Sequence, residues 1–306
     1  MRPKPPNSHR RCEPSGAQAE LLIVGCGDVG QRVLDLLPAR WRVRVLSRSA
    51  RTDLQREGLV VCRGDLDQPE SLKRLAGLAR RVLHLAPPPS QGQHDTRTRA
   101  LLQTLSRAQR PVQLVYVSTT GVYGHAHGAL LDETAAPAPT TARALRRVDA
   151  EQQVREWGRR HGVCVSVLRL PGIYAWDREG GHPRERLLRG TPVLCEADDV
   201  YTNHIHADDA ARACARALWH GAPQRAYNVC DDTRLKMGDY FDLAADLCQL
   251  PRPPRISRSQ AQETLGAMQL SFMSESRCLS NTRLKEELRL RLRYPTVAQG
   301  LLPPQG

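Results

Sequence analysis

The segment Tyr116-Val-Ser-Thr-Thr-Gly-Val-Tyr-Gly124 joins an apolar run to three successive hydroxyls, Ser118, Thr119 and Thr120, and then to a tyrosine, Tyr123. Hydroxyls at the end of a strand can position a small polar molecule, and a phenol beside them can carry a proton. A strand that merely stops in a polar turn would read the same way. The rest of the chain has to decide between the two.

A second stretch has a chemistry of its own. Gly25-x-Gly27-x-x-Gly30 directly follows the apolar run Leu21–Val24 and opens a helical pattern carrying Val29, Val33, Leu36 and Leu37. Glycines at this spacing permit a tight turn and close approach of a pyrophosphate, which the free amides of the helix start then stabilise. Gly25, Gly27, Asp28, Val29 and Gly30 are therefore the expected cradle of a dinucleotide. The end of the second strand selects between the two nicotinamide cofactors, because an acid there binds the ribose 2′-hydroxyl and an arginine accommodates a 2′-phosphate. Ser47 and Arg48 stand at that point, with Arg51 close behind and no acid before Asp53. A hydroxyl and a guanidinium suit phosphate geometry, so NADP is the expected cofactor and NAD the alternative. Asp65 and Leu66 end the third strand, where Asp65 could meet the adenine amino group. Leu85, Ala86 and Pro87 after the fourth strand bring backbone close to the dinucleotide.

The elements that must position these groups are strands near 21–24, 42–47, 58–64, 81–86, 113–118 and 163–170, with helices near 69–79, 96–108 and 141–161 between the later ones. Strands that are apolar on both faces and alternate with helices indicate a parallel sheet covered on both sides. The fold class is thus α/β, a doubly wound parallel sheet, and every candidate site falls at the carboxyl end of a strand, where such sheets bind ligands. Beyond Leu170 the alternation loosens into a helix at 208–221, a strand at 225–231 and a helix at 237–250. A proline-punctuated connector follows at 250–257, and a small, partly helical cap at 258–302. The expected division is a basic arm at 1–19, a dinucleotide-binding domain at 20–172, a mixed region at 173–302 that completes the sheet and caps the substrate, and a frayed tail at 303–306.

Composition excludes several alternatives. The chain has 306 residues, of which 40% are hydrophobic and 25% charged, an ordinary balance for a globular protein. No run approaches the roughly 18 apolar residues of a membrane span, and the first twenty residues have no apolar secretory core. The net charge of +13 comes from 41 arginines and only four lysines scattered along the chain. With 4% aromatic residues and no basic stretch interleaved with them, no nucleic-acid platform is expected. Such a surface still attracts small anions. Nine cysteines occur singly, without a CxxC pair, which favours a reducing, cytoplasmic setting. His125-x-His127 and His204-x-His206 lack the further ligands of a metal site, so no metal is expected. A small-molecule substrate is the expected partner, and a homodimer is left open.

With these motifs in place, the chain resembles the extended or atypical branch of the short-chain dehydrogenase/reductase superfamily, that is, NAD-dependent epimerase/dehydratase-like proteins, over residues 20–302. The resemblance rests on GCGDVG, GDLD at 64–67, HLA at 84–86, STTGVYG at 118–124, LRLPGIY at 168–174, NHIHADDAARA at 203–213, YNV at 227–229 and SNTRLKEEL at 280–288, in that order. It implies that the hydroxyl segment faces a substrate beside the nicotinamide, with Thr119 as the matching hydroxyl and Ser118 and Thr120 as neighbours. It also implies a helix start near His206–Asp209, with Asp208 as its cap.

In that family a Tyr-x-x-x-Lys on the next helix moves the proton. Alignment on Glu151 puts Arg143 at the tyrosine position and Arg147 at the lysine position. An arginine stays protonated and cannot shuttle a proton near neutral pH. Arg147 could still bind the ribose and Arg143 could clamp an anionic substrate. Tyr123, Tyr174 and His84 are the remaining candidates for acid or base, and both tyrosines have an alternative reading as packed, hydrogen-bonded rings. The function expected is an NAD(P)-dependent oxidoreductase or epimerase/dehydratase-like protein for a small polar substrate such as a nucleotide sugar. The alternative is a non-catalytic NADP-binding sensor or scaffold.

Overall fold

The computed structural model describes residues 20–303, apart from the side chains of Glu20, Ala267 and Met268. The arm expected at 1–19 and residues 304–306 lie outside the described residues. Seven strands form one sheet: β1 (Glu20–Val24), β2 (Arg42–Ser47), β3 (Leu59–Arg63), β4 (Arg81–His84), β5 (Gln113–Thr119), β6 (Cys164–Leu170) and, later in the chain, β9 (Arg225–Asn228). Between them in sequence, β7 (Gly172–Tyr174) and β8 (His204–His206) pair with each other in parallel beside the sheet. The spatial order is β9-β6-β5-β4-β1-β2-β3, and every neighbouring pair is parallel. The order reverses at β1, so β1 and β4 diverge in their onward connections and leave a crevice at their carboxyl ends.

Alternation along the strands explains the two layers of core. Leu21, Ile23, Val43, Val45, Val115 and Val117 face one layer, with α1 (Asp28–Leu36) and α4 (Ala207–His220). Leu22, Val24, Val82, Leu114, Tyr116 and Val165 face the other, with α2 (Thr96–Leu105) and α3 (Ala142–His161). Leu21, Leu22, Ile23 and Val24 are all fully buried, and each such side chain contributes on the order of 1.5–3 kcal/mol relative to exposure. The sheet is covered on both faces, as its apolar strands require. A third cluster joins Tyr174, Leu194, Val200, Tyr240 and Phe241 across β7 and α5 (Met237–Cys248), and forms the C-terminal cap.

Three local differences from the sequence reading have physical causes. The helix expected at 69–79 is a tighter 3₁₀ segment, Pro69–Leu75, because the Ser71 hydroxyl bonds the carbonyls of Asp65 and Gln68 and so competes with a regular helical start. Strand β4 stops at His84, since the amides of Leu85 and Ala86 both donate to the Val24 carbonyl, at 2.8 and 3.0 Å, and pull the chain out of the ladder. Helix α4 is capped by His206, whose Nδ1 accepts the Asp208 amide at 3.1 Å, and not by Asp208. Helix α3 begins and ends where residue chemistry dictates. The Thr141 hydroxyl accepts the Ala144 amide, and Gly162 closes the last turn at φ +67°.

Candidate active site

At the crevice the glycine turn builds a cavity of about 310 Å³. Gly25 has φ +88°, and a Cβ there would lie 2.6 Å from the Ala86 amide nitrogen, so the turn presses directly on the end of β4. Gly30 packs against Cys26 and Leu85, whereas a Cβ on Gly27 would meet nothing within 4 Å. Gly27 therefore faces open space at the start of α1, as a backbone cradle for a diphosphate needs. Gly25, Gly27, Asp28, Val29, Gly30, Leu85, Ser118, Thr119 and Arg147 all border this cavity, so one end of the sheet gathers residues predicted from four separate parts of the chain.

Next to it lies a larger cleft of about 750 Å³ between the sheet and the cap. Thr119, Arg147, Pro171, Ile173 and Arg178 border both spaces, which makes them one continuous site. Thr119 accepts the Gly121 amide at 3.3 Å and is half-buried, while Ser118 is buried with no partner for its hydroxyl. Thr120 lines the cleft, as does Pro87. Arg147 is held in place from beneath, donating to the Tyr116 hydroxyl at 3.0 Å and to the Val117 carbonyl at 2.7 Å. Arg143 reaches the outer edge of the cleft and stacks over Phe272 at 5.0 Å.

Four arginines that the sequence reading did not single out complete the cleft: Arg146, Arg178, Arg186 and Arg277. With Arg143 and Arg147 they make six guanidinium groups, against the carboxylate of Glu275, which already accepts from Arg277 and Thr140 at 2.7 Å each. Buried polar atoms ordinarily have partners. Here the Nε atoms of Arg146, Arg186 and Arg277, Thr202 Oγ1, His204 Nδ1 and Ser118 Oγ have none, and all six residues border the joined site. His204 stacks on Tyr240 with centroids 4.0 Å apart, and burial pushes its pKa down to about 3, so its imidazole is neutral near pH 7.

The tyrosines proposed as proton carriers are elsewhere. Tyr123 is 2% exposed, donates to Asn228 Oδ1 at 2.8 Å, and lies under the Arg169 guanidinium at 4.7 Å. Tyr174 is also 2% exposed and points its hydroxyl at Asp231 Oδ2 and the Thr296 carbonyl, each at 3.4 Å. Neither borders the cavity or the cleft, and burial raises the pKa of both phenols. His84, the last residue of β4, is buried against Thr98 Oγ1 at 3.0 Å, with its pKa lowered to about 3 by burial. Burial and hydrogen bonding hold all three rings away from the two spaces.

The outer part of the predicted cofactor region borders neither space. Ser47 Oγ accepts the Ser49 amide at 3.3 Å, Asp65 Oδ1 accepts the Asp67 amide at 3.0 Å, and Leu66 is buried in the core. Arg48 is exposed. Arg51 donates to the Cys26 carbonyl in the glycine turn and is gripped by Asp53 through Nε at 2.8 Å and Nη2 at 2.6 Å. Ala86 serves the turn by packing beneath Gly25.

Asp231, beside Tyr174, gives the structure a pH-dependent element. Burial raises its pKa from 3.8 to about 7, an effect partly offset by the Thr233 amide that it accepts at 2.9 Å. The folded protein therefore holds a proton that the unfolded chain releases, and stability falls as pH rises from 3.8 towards about 7. Asp231→Asn should flatten that slope. Urea midpoints at pH 5 and pH 8 will differ less in the variant than in the parent, and equal differences would reject the assignment.

Among the described residues no group of three or more His, Cys, Asp or Glu side chains could hold a metal ion. His125 and His127 contact each other at 3.1 Å, and His125 Nδ1 accepts the Ser276 amide. No helix among the described residues is long and apolar enough to cross a membrane.

Residues 21–230 match the NAD dependent epimerase/dehydratase family. GDP-6-deoxy-D-mannose reductase of Pseudomonas aeruginosa is 27% identical over 185 residues, a match that takes in 55% of this chain and 60% of that protein. The structure of a functionally unknown conserved protein from Silicibacter pomeroyi superposes with a TM-score of 0.78 and 32% identity, over 93% of this chain and 97% of that one. UDP-glucose 4-epimerase from Thermotoga maritima, solved with UDP-glucose, has a TM-score of 0.75 over 92% of this chain and 96% of that one. At 19% identity its likeness is one of fold.

Proposed function

We propose a function for this chain from one premise: it belongs to the NAD dependent epimerase/dehydratase family. It is an NADP-dependent oxidoreductase or epimerase-like enzyme whose substrate is a small anionic molecule of the nucleotide-sugar kind. The observation that carries this reading is the cluster of six partnerless buried polar atoms on residues bordering two joined spaces, one walled by the glycine turn and the other by arginines. Guanidinium groups in such number are suited to phosphate or carboxylate, and a ligand that satisfies them offsets their desolvation.

The dinucleotide, when bound, supplies the hydride chemistry at its nicotinamide ring. Ser118 and Thr119 hold the substrate oxygen at the junction of the two spaces, and Arg147 keeps the neighbouring ribose in register. Arg143, Arg186 and Arg277 bind the anionic end. No arginine can give up its proton, so the reading assigns the hydrogen bond to the reacting oxygen to the neutral imidazole of His204. The choice of NADP rests on Ser47, Arg48 and Arg51 at the end of β2, although Asp53 already grips one of these arginines. The possession of Arg143 and Arg147 where the family has tyrosine and lysine favours a second reading, an NADP-responsive sensor.

Titration with NADPH and NADH, followed by nicotinamide fluorescence, tests the proposal. NADPH should bind more tightly, and Arg48→Ala should weaken NADPH by about tenfold, the scale of one charge-assisted hydrogen bond, while sparing NADH. Failure to bind either cofactor rejects both readings. Binding without consumption of NADPH across a panel of nucleotide sugars and sugar phosphates, unchanged by Thr119→Ala, favours the sensor.

A further inference from the structure

Arg178 occupies an unusual position. It belongs to the loop between β7 and the short helix Arg184–Leu188, on the substrate side, yet its Nε donates to Asp28 Oδ2 at 2.9 Å at the first residue of α1. Its Nη1 donates to the Ile173 carbonyl at 3.0 Å, which fixes the stem of the side chain. The guanidinium borders both the glycine cavity and the arginine-lined cleft. Asp28, its partner, places a carboxylate at the helix start where the glycine turn prepares a place for phosphate. The other oxygen of Asp28 is held by Arg32 at 3.1 Å, and Arg32 also grips Asp177 at 2.7 Å and Asp208 at 2.6 Å. The loop therefore stays anchored through Arg32 and Asp177 even when Arg178 lets go of Asp28.

A carboxylate at this place is a poor neighbour for a diphosphate. Like charges a few ångströms apart in a half-buried site repel, and Arg178, which holds Asp28 Oδ2 and borders the glycine cavity, can reach both. We infer that Arg178 is a cofactor-affinity residue that exchanges partners, leaving Asp28 for the diphosphate of the dinucleotide, so that Asp28 acts as a built-in competitor that keeps cofactor affinity down. This rests on the reading of the glycine cavity as the dinucleotide site and deepens it. Because Arg178 also faces the cleft, the exchange ties the charge pattern seen by the substrate to the presence of the cofactor.

The sign of the expected result is distinctive. Asp28→Asn, nearly isosteric and still able to accept from Arg178, should tighten NADPH binding by about fivefold, the upper range for a single accessible ion pair. Arg178→Gln should weaken it by about tenfold or more, as loss of a charge-assisted contact does, and Arg178→Lys should recover part of the loss. In the Arg178→Gln background, Asp28→Asn should give a smaller tightening than in the parent, from the loss of direct repulsion alone, because the competition for Arg178 has lost its object. Thermal unfolding of each variant accompanies the titration, and the Asp28→Asn gain is read only as an affinity, which misfolding cannot raise. Weaker binding by Asp28→Asn, an equal gain in both backgrounds, or unchanged binding by Arg178→Gln each overturns the inference while leaving the cofactor site in place. If the parent protein binds neither NADPH nor NADH, the cofactor reading itself falls, and the partner exchange with it.

Discussion

Glu151→Ala should lower the free energy of unfolding by about 3–5 kcal/mol, the cost of leaving a buried charge without its partner. Glu151 and Arg169 have side chains only 4% and 3% exposed, and they meet in a fork: Nε to Oε1 at 3.1 Å and Nη2 to Oε2 at 2.7 Å. The pair ties the middle of α3 to the end of β6, directly behind the cleft, and the guanidinium also covers the ring of Tyr123. Nη1 of Arg169 already lacks a partner, so the site has no slack to absorb a second loss. For a chain of this size the transition should fall by about 10 °C. Replacing both residues with apolar side chains of similar volume should restore much of the loss, since desolvation of the pair offsets most of its attraction. A change under about 1 kcal/mol in a urea titration of Glu151→Ala would mean that water reaches Arg169.

That pair also shows where sequence reasoning reaches and where it stops. Glu151 was visible as a family landmark, but its partner lies on another element, and nothing local marks Arg169 out among 41 arginines. The sheet was legible because its strands are apolar on both faces, and α3 because Thr141 and Gly162 punctuate it despite few apolar positions between them. The glycine turn was legible for the same reason: its constraint is local, a positive φ and a close approach written into residue type. Tyr123 and Tyr174 stayed open between proton carrier and packed ring, because a tyrosine in a turn reads alike in sequence whether it faces a cleft or a core. Only packing against Asn228 and Asp231, more than fifty positions away, separates the two cases. The arginine cleft was hidden by the same logic. Arg178 meets Asp28 across 150 positions, and its segment has no periodicity to announce it.

The glycine turn supports a paired test whose two halves diverge. At Gly25 an added methyl meets backbone, 2.6 Å from the Ala86 nitrogen and 2.7 Å from its Cα, in a conformation that L-residues rarely adopt. The end of β4 cannot retreat, because Leu85 and Ala86 both donate to the Val24 carbonyl. The turn itself must lift into the cavity that it walls. Gly25→Ala should therefore cost about 1–3 kcal/mol of stability and reduce NADPH binding below detection. At Gly27 the same methyl meets nothing, so Gly27→Ala should leave the unfolding transition where it is. Its Cβ would nevertheless stand in the space proposed for the diphosphate, and NADPH should bind about tenfold more weakly or worse, a loss of at least about 1.4 kcal/mol. Stability and affinity fall together at the first glycine and separate at the second. If Gly27→Ala binds NADPH like the parent, the open space above it is not the diphosphate site. The glycine turn would then be a packing device between α1 and β4, and the role of Arg178 would have to be sought in the cleft alone.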